Sequence, residues 1–234
     1  MFDILATILL TGLAAVLAAT LAPAQPRSSG QRLRFGVGIS AWFIAAAVLA
    51  ALGAFASPAL PVGIAVGIAV FAPLIVGGAI VARTQGHGIP LTTLVAVHMG
   101  RILGASFLVL YSTGRLPSTF AHSAGWGDVA TGILAIPVVW AIRRRIAGWR
   151  WITGAWNVLG MTDLLAAVTL AVGSAPGSMV RFIHETPGSG AIVAFPWALI
   201  PAFFVPLYLL THIAIFARLA HSAHASRFES RLAA

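Results

Sequence analysis

The sequence contains neither cysteine nor lysine. Without cysteine there are no disulfides, thiolate metal sites, iron–sulfur ligands or cysteine nucleophiles. Without lysine no amine is available for a Schiff base, which excludes retinal and pyridoxal phosphate as covalently held cofactors. Acids are almost as scarce: Asp3, Asp128, Asp163, Glu185 and Glu229 are the only five in 234 residues. Charged residues make up 8% of the chain, against roughly a quarter in an ordinary soluble domain. So few charges cannot cover a soluble surface. Neither a serine–histidine–acid set nor an HExxH zinc motif is present, so the reading leans away from an enzyme.

What the chain has instead is apolar length. Hydrophobic residues account for 59% of it, and its mean hydropathy is +0.98. A helix crosses a bilayer with roughly 20 mostly apolar residues. Seven segments meet that requirement, at about 2–22, 35–57, 60–82, 90–113, 122–142, 150–173 and 193–217. The expected fold is therefore all-α, a polytopic bundle of seven transmembrane helices. The first segment reads as a true helix. "LAPA" at 21–24 resembles a cleavage site, but Asp3 stands where a signal peptide is basic.

All fourteen basic residues are arginine, and the formal charge is +9. On a soluble protein that charge would suggest nucleic acid. Here the arginines alternate with apolar spans, so no nucleic-acid partner is expected. Eleven fall on one side: Arg27, Arg32, Arg34, Arg83, Arg143, Arg144, Arg145, Arg150, Arg218, Arg227 and Arg231. Arg115 and Arg181 fall on the other, and Arg101 lies inside a span. The positive-inside bias then puts the N-terminus outside and the C-terminus in the cytoplasm, with anionic headgroups as partners of the arginine-rich face. A bacterial inner membrane is the expected location. Residues 1–217 form one transmembrane domain, and 218–234 a basic interfacial tail. In the tail, His221 and His224 share a face but lack the further ligands of a metal site. The outer loop 174–192 places "MVRFIHE" between Gly/Ser/Pro clusters, as a linker with an interfacial turn, a short surface helix or a lid. "GIAVG" (63–67) and "GRILG" (100–104) are GxxxG patterns that let helices approach closely.

An ionisable group in the bilayer costs at least about 2.5–3.5 kcal/mol on insertion scales. Arg101 on the fourth span and Asp163 on the sixth each lie roughly 15–16 Å from a span end. Asp128 on the fifth lies roughly 9 Å below the outer surface. An Arg101–Asp163 pair is expected, with Asp128 as a second acceptor at its outer edge. His98 and Gly104 share a face with Arg101, and Trp156 and Gly160 share one with Asp163, with Asn157 beside it. Asp128 lines up with Thr131 and Gly132, and the flanking Gly125 and Gly127 give the carboxylate room. The candidate ligand-binding or proton-coupling residues are thus Arg101, Asp128, Asp163, His98, Asn157 and Trp156. In the seventh span, Pro196, Pro201 and Pro206 should free the carbonyls of residues 192, 197 and 202. His98 and His212, on different helices at similar depth, are candidate axial ligands of haem b.

The stretches "R-x-L-G-x-x-F-L" from Arg101, "G-R-L-P-x-x-F-A-x-x-x-G-W-G-D" to Asp128, "W-N-V-L-G-M-x-D" to Asp163 and "L-I-P-x-F-x-V-P-L-x-x-L-x-H" to His212 resemble a group of bacterial seven-helix integral membrane proteins with no assigned activity. The resemblance covers about 90–220. It implies a shared fold and a shared Arg101, Asp128, Asp163 and His212 pattern, and it carries no reaction or cofactor. Three functional readings follow. The first is a membrane protein that binds or translocates a small ligand or proton at the Arg/Asp cluster. The second is a b-type haem redox protein. The third is an accessory subunit of a larger membrane complex or a homo-oligomer, in which the cluster only fixes helix register.

Overall fold

The computed structural model describes residues 1–24, 28–56, 61–84 and 88–232. Seven helices are long and apolar enough to cross a membrane, and no strand occurs among the described residues. Helix α1 runs Phe2–Leu21, α2 Ser29–Ala51 and α3 Val62–Thr84. The fourth span, Leu91–Ser112, is composite: α4 (Leu91–Ala96), a 3₁₀ stretch (Val97–Gly104) and α5 (Ala105–Ser112). Then come α6 (Ser118–Arg144), α7 (Trp149–Ser174) and α8 (Val205–Leu232). The expectations for Arg27, and for the side chains of His224, Arg227 and Arg231, lie outside the described residues.

Three boundaries differ from expectation. A capping box at Ser28, closed by Gln31, starts α2 early enough to place Arg32 and Arg34 in its first turns, not in a loop. Helix α6 begins at Ser118, directly after Pro117. Glu185 of the following loop supports that start, accepting bonds from the Thr119 amide at 3.1 Å and from its hydroxyl. A carboxylate at a helix N-terminus satisfies orphan amides and meets the positive end of the dipole. The earlier start puts Asp128 roughly 15 Å down its helix instead of 9 Å. Finally, residues 193–199 do not belong to the last span. A 3₁₀ turn (Ser189–Val193), a turn containing Pro196, and a π-helical turn (Ile200–Phe204) precede α8.

The prolines explain that broken start. Pro196 lies before the helix and interrupts nothing within it. Pro206 has no N–H to offer the Ala202 carbonyl. The Trp42 indole of α2 donates to that carbonyl at 3.2 Å instead. The carbonyl of Trp197 is taken by the Ile200 amide at 3.0 Å. The carbonyls that Pro201 and Pro206 leave without a helical amide are therefore both satisfied by protein, as lipid surroundings demand. The loop segment "MVRFIHE" forms no helix. The amides of Phe182 and Ile183 both donate to the Gly173 carbonyl at 2.9 Å, which folds the loop over the end of α7.

Helix α1 buries the stripe Ala6, Leu10, Ala14, Leu17 and Leu21 at helical spacing. Its Asp3 accepts from Arg115 at 2.7 Å and from the Trp197 indole at 2.9 Å. The N-terminal end of α1, the α5–α6 turn and the start of the last span thus share one end of the bundle. Helix α6 packs on α7 and on the 3₁₀ stretch, and α8 packs on α3, α4 and α7. Those contacts enclose the buried polar residues.

Candidate functional site

Arg101 sits mid-span in the 3₁₀ stretch, with its side chain 1% exposed. A 3₁₀ helix has three residues per turn, so side chains three apart eclipse. His98, Arg101 and Gly104 are therefore stacked on one line, and all three are buried. The Arg101 guanidinium donates from Nε to Asp128 Oδ1 at 2.6 Å and from Nη2 to Asp163 Oδ2. From Nη1 it donates to the Gly160 carbonyl at 2.9 Å and to His212 Nε2 at 3.3 Å. The two carboxylates are only 14% and 13% exposed.

The arginine sets the His212 tautomer. A guanidinium only donates, so Nε2 is the acceptor and Nδ1 carries the proton. Nδ1 donates to Asn157 Oδ1 at 2.7 Å, and Asn157 Nδ2 donates to the His212 carbonyl at 3.1 Å. His98 stacks on His212 with ring centres 4.1 Å apart. Its Nε2 donates to Thr211 Oγ1 at 2.9 Å, while the Thr211 hydroxyl donates to the Tyr208 carbonyl at 2.8 Å. Trp156 walls the pair, with its ring 5.2 Å from His98, and its indole donates to the Thr131 carbonyl at 3.1 Å.

Glycines seat each polar group. A Cβ at Gly104 would lie 2.6 Å from Asp128 Oδ2, and one at Gly127 would overlap the Asp163 carboxylate. At Gly160 it would lie 2.7 Å from His212 Cε1 and 2.8 Å from Thr131 Cγ2. Gly127 thus makes room for Asp163, not for its neighbour Asp128. Gly125 instead accommodates Leu108. The expected placement of Asp128 at the outer edge is also corrected. With α6 starting at Ser118, all three charges lie roughly 15–18 Å from one end of the bundle.

Bonding is dense but incomplete. His98 Nδ1, Thr131 Oγ1 and Tyr208 Oη are buried and have no hydrogen-bond partner among the described residues. A cavity of about 30 Å³ borders Arg101, Asp128, Gly104 and Tyr208. One water needs roughly 10–15 Å³, so the space is large enough to admit water.

The histidines do not fit a bis-histidine haem site. Two axial imidazoles on one iron place their ring centres roughly 6 Å apart with the porphyrin between them. His98 and His212 stack directly, and three of their four ring nitrogens face protein partners. No group of three or more metal-ligating side chains occurs among the described residues either.

A family described as a domain of unknown function, DUF8737, matches residues 59–220, more than half of the chain. The chain belongs to the DUF8737 family. Every member of the buried cluster, from His98 to His212, lies within the matched stretch, whereas α1 and α2 precede it. No curated protein and no solved structure matches the chain.

Within this DUF8737 protein, the six expected site residues converge on one cluster. His212 joins them as a partner of Arg101, a role its sequence position alone did not indicate. Thr211 and the Gly160 carbonyl are additions. The only sequence signal for Gly160 is its spacing, three residues before Asp163.

Proposed function

We propose that this is a multi-pass protein of the bacterial inner membrane that takes up, releases or translocates a proton at Arg101, Asp128 and Asp163. The observation that carries the reading is charge parity: one guanidinium faces two carboxylates. His212 is neutral in the hydrogen-bond pattern described above, and the described partners of His98 include no carboxylate. With both acids ionised the cluster holds a surplus negative charge in the bilayer, which is costly. One added proton neutralises it. The cavity beside Asp128 and the free Tyr208 hydroxyl support the reading, because they give a proton a short hydrated step. The arginine distribution supports an outside N-terminus, which places the carboxylates nearer the outer surface than Arg34 or Arg143.

The test uses protein purified in detergent and infrared difference spectra between acid and alkaline pH. A protonated-carboxyl band should appear in wild type and change in Asp128→Asn or Asp163→Asn. Proteoliposomes with an internal pH dye then show whether the proton crosses. A spectrum without such a band, identical in both variants, overturns the reading.

One observation favours a purely architectural cluster: Nε, Nη1 and Nη2 of Arg101 all have partners, as do both ring nitrogens of His212. On that reading the cluster only registers helices within the protein or a larger complex. The carboxyl band is then absent, while the fold depends on Arg101 as strongly.

A further inference from the structure

A second cavity adjoins the cluster at Thr211. It is a cleft of about 960 Å³ between α2 and α3, backed by α8. Helix α2 packs on α1 and α3 packs on α8, which leaves the two neighbours splayed. Gln31 and Arg34 stand at one end, Trp42 marks the other on α2, and Thr211 lies on the inner wall. Gln31 to Trp42 spans roughly 16 Å of helix, about half of a 30 Å hydrocarbon core. The cleft therefore has the depth of one leaflet, an apolar body and a polar rim at headgroup level.

Charge at the rim indicates the occupant. Arg34 has no hydrogen-bond or ion-pair partner among the described residues, and Arg83 in the last turn of α3 lies at the same end. The described acids are all elsewhere. Asp3 and Glu185 hold groups at the opposite end, and Asp128 and Asp163 hold Arg101. No described carboxylate neutralises this rim, which leaves its arginines open to an anion from outside the chain.

We infer that the cleft binds one anionic phospholipid of the arginine-rich leaflet, its phosphate at Arg34 and an acyl chain lying between α2 and α3 as far as Trp42. Gly38 offers a clean probe. It lines the cleft, and a Cβ there meets nothing within 4 Å, so a side chain added at this position starts into open space.

The experiment is native mass spectrometry of the full chain in mild detergent, titrated with palmitoyl-oleoyl phosphatidylglycerol or phosphatidylcholine. Wild type should retain one phosphatidylglycerol, with about fivefold preference over phosphatidylcholine, the effect of a single arginine near an anionic headgroup. Arg34→Gln should erase the preference and keep the chain-dependent binding. Gly38→Phe should abolish retention of both lipids at an unchanged melting temperature, and Gly38→Leu serves if the larger plug does not fold. Glycerol 3-phosphate should not displace the lipid. Equal retention by wild type and a folded Gly38 variant overturns the inference. So does an intact preference in Arg34→Gln, or displacement by the free headgroup.

Discussion

The parity of the buried cluster makes a quantitative prediction about which of its members is indispensable. Charge centres roughly 4 Å apart attract by about 4 kcal/mol at an effective dielectric of about 20. Two carboxylates on neighbouring nitrogens of one guanidinium sit roughly 6 Å from each other and repel by about 3 kcal/mol on the same scale. The second carboxylate to ionise thus gains only about 1 kcal/mol net, against a desolvation cost of several kcal/mol per buried ion. Replacing one acid by its amide should therefore be nearly neutral. Asp163→Asn keeps an oxygen facing Arg101 Nη2, and its expected cost is below about 1 kcal/mol. Arg101→Met is different. It strands two carboxylates and removes the donor to Gly160 and His212, so its expected cost is about 3–5 kcal/mol. Reversible unfolding in mixed micelles, followed by tryptophan fluorescence, measures both. If Asp128→Asn and Asp163→Asn each destabilise as much as Arg101→Met, both acids are ionised together and the surplus-charge reasoning fails.

Other substitutions test the supporting contacts. Gly160→Ala should cost about 1–3 kcal/mol through its collision with His212, whereas Gly12→Ala, which meets nothing within 4 Å, should stabilise by about 0.5–1 kcal/mol. Trp42→Phe leaves the Ala202 carbonyl without its donor and should cost about 1–3 kcal/mol in the same unfolding assay. At the loop, the Thr119 hydroxyl and amide hold the Glu185 carboxyl below its ordinary value of 4.5. The contact therefore contributes fully above that value and is lost as pH falls below it. A melting-temperature series through acid pH should show wild type losing more than Thr119→Val over that window.

Much of this arrangement was legible from the residues because the chain has so few charges. With five acids, any one inside an apolar run is conspicuous, and helix direction alone set Arg101 against Asp163. What the sequence obscured depends on geometry that hydropathy does not encode. "STFAHSAGWGD" looks too polar to begin a span, yet Pro117 and the distant Glu185 start α6 at Ser118 and carry Asp128 deeper. Likewise the apolar run 193–199 looks helical. Its backbone turns there because Pro196, Pro201 and Pro206 come too close together for a continuous hydrogen-bond ladder. The stacking of His98 on His212 depends on the 3₁₀ stretch, and no local residue pattern announces it.

That 3₁₀ stretch links sequence spacing to site geometry. In an α-helix, residues three apart are rotated by roughly 60° from one another. His98, Arg101 and Gly104 would then fan across neighbouring helices. Tightened to three residues per turn, they face one direction: His98 meets α8, Arg101 meets α6, α7 and α8 together, and Gly104 admits Asp128. The cluster's residues come from elements from α4 onward, and all of them lie within residues 59–220. The cleft does not, since one of its walls is α2. The matched stretch by itself therefore carries the charge cluster but only part of the cleft. Thr211 touches both, because it accepts from His98 Nε2 and lines the cleft. A lipid seated between α2 and α3 would lie against the one hydroxyl that holds His98 in place. Phosphatidylglycerol binding should accordingly change the His98 imidazole signal in wild type, and leave it unchanged in Gly38→Phe.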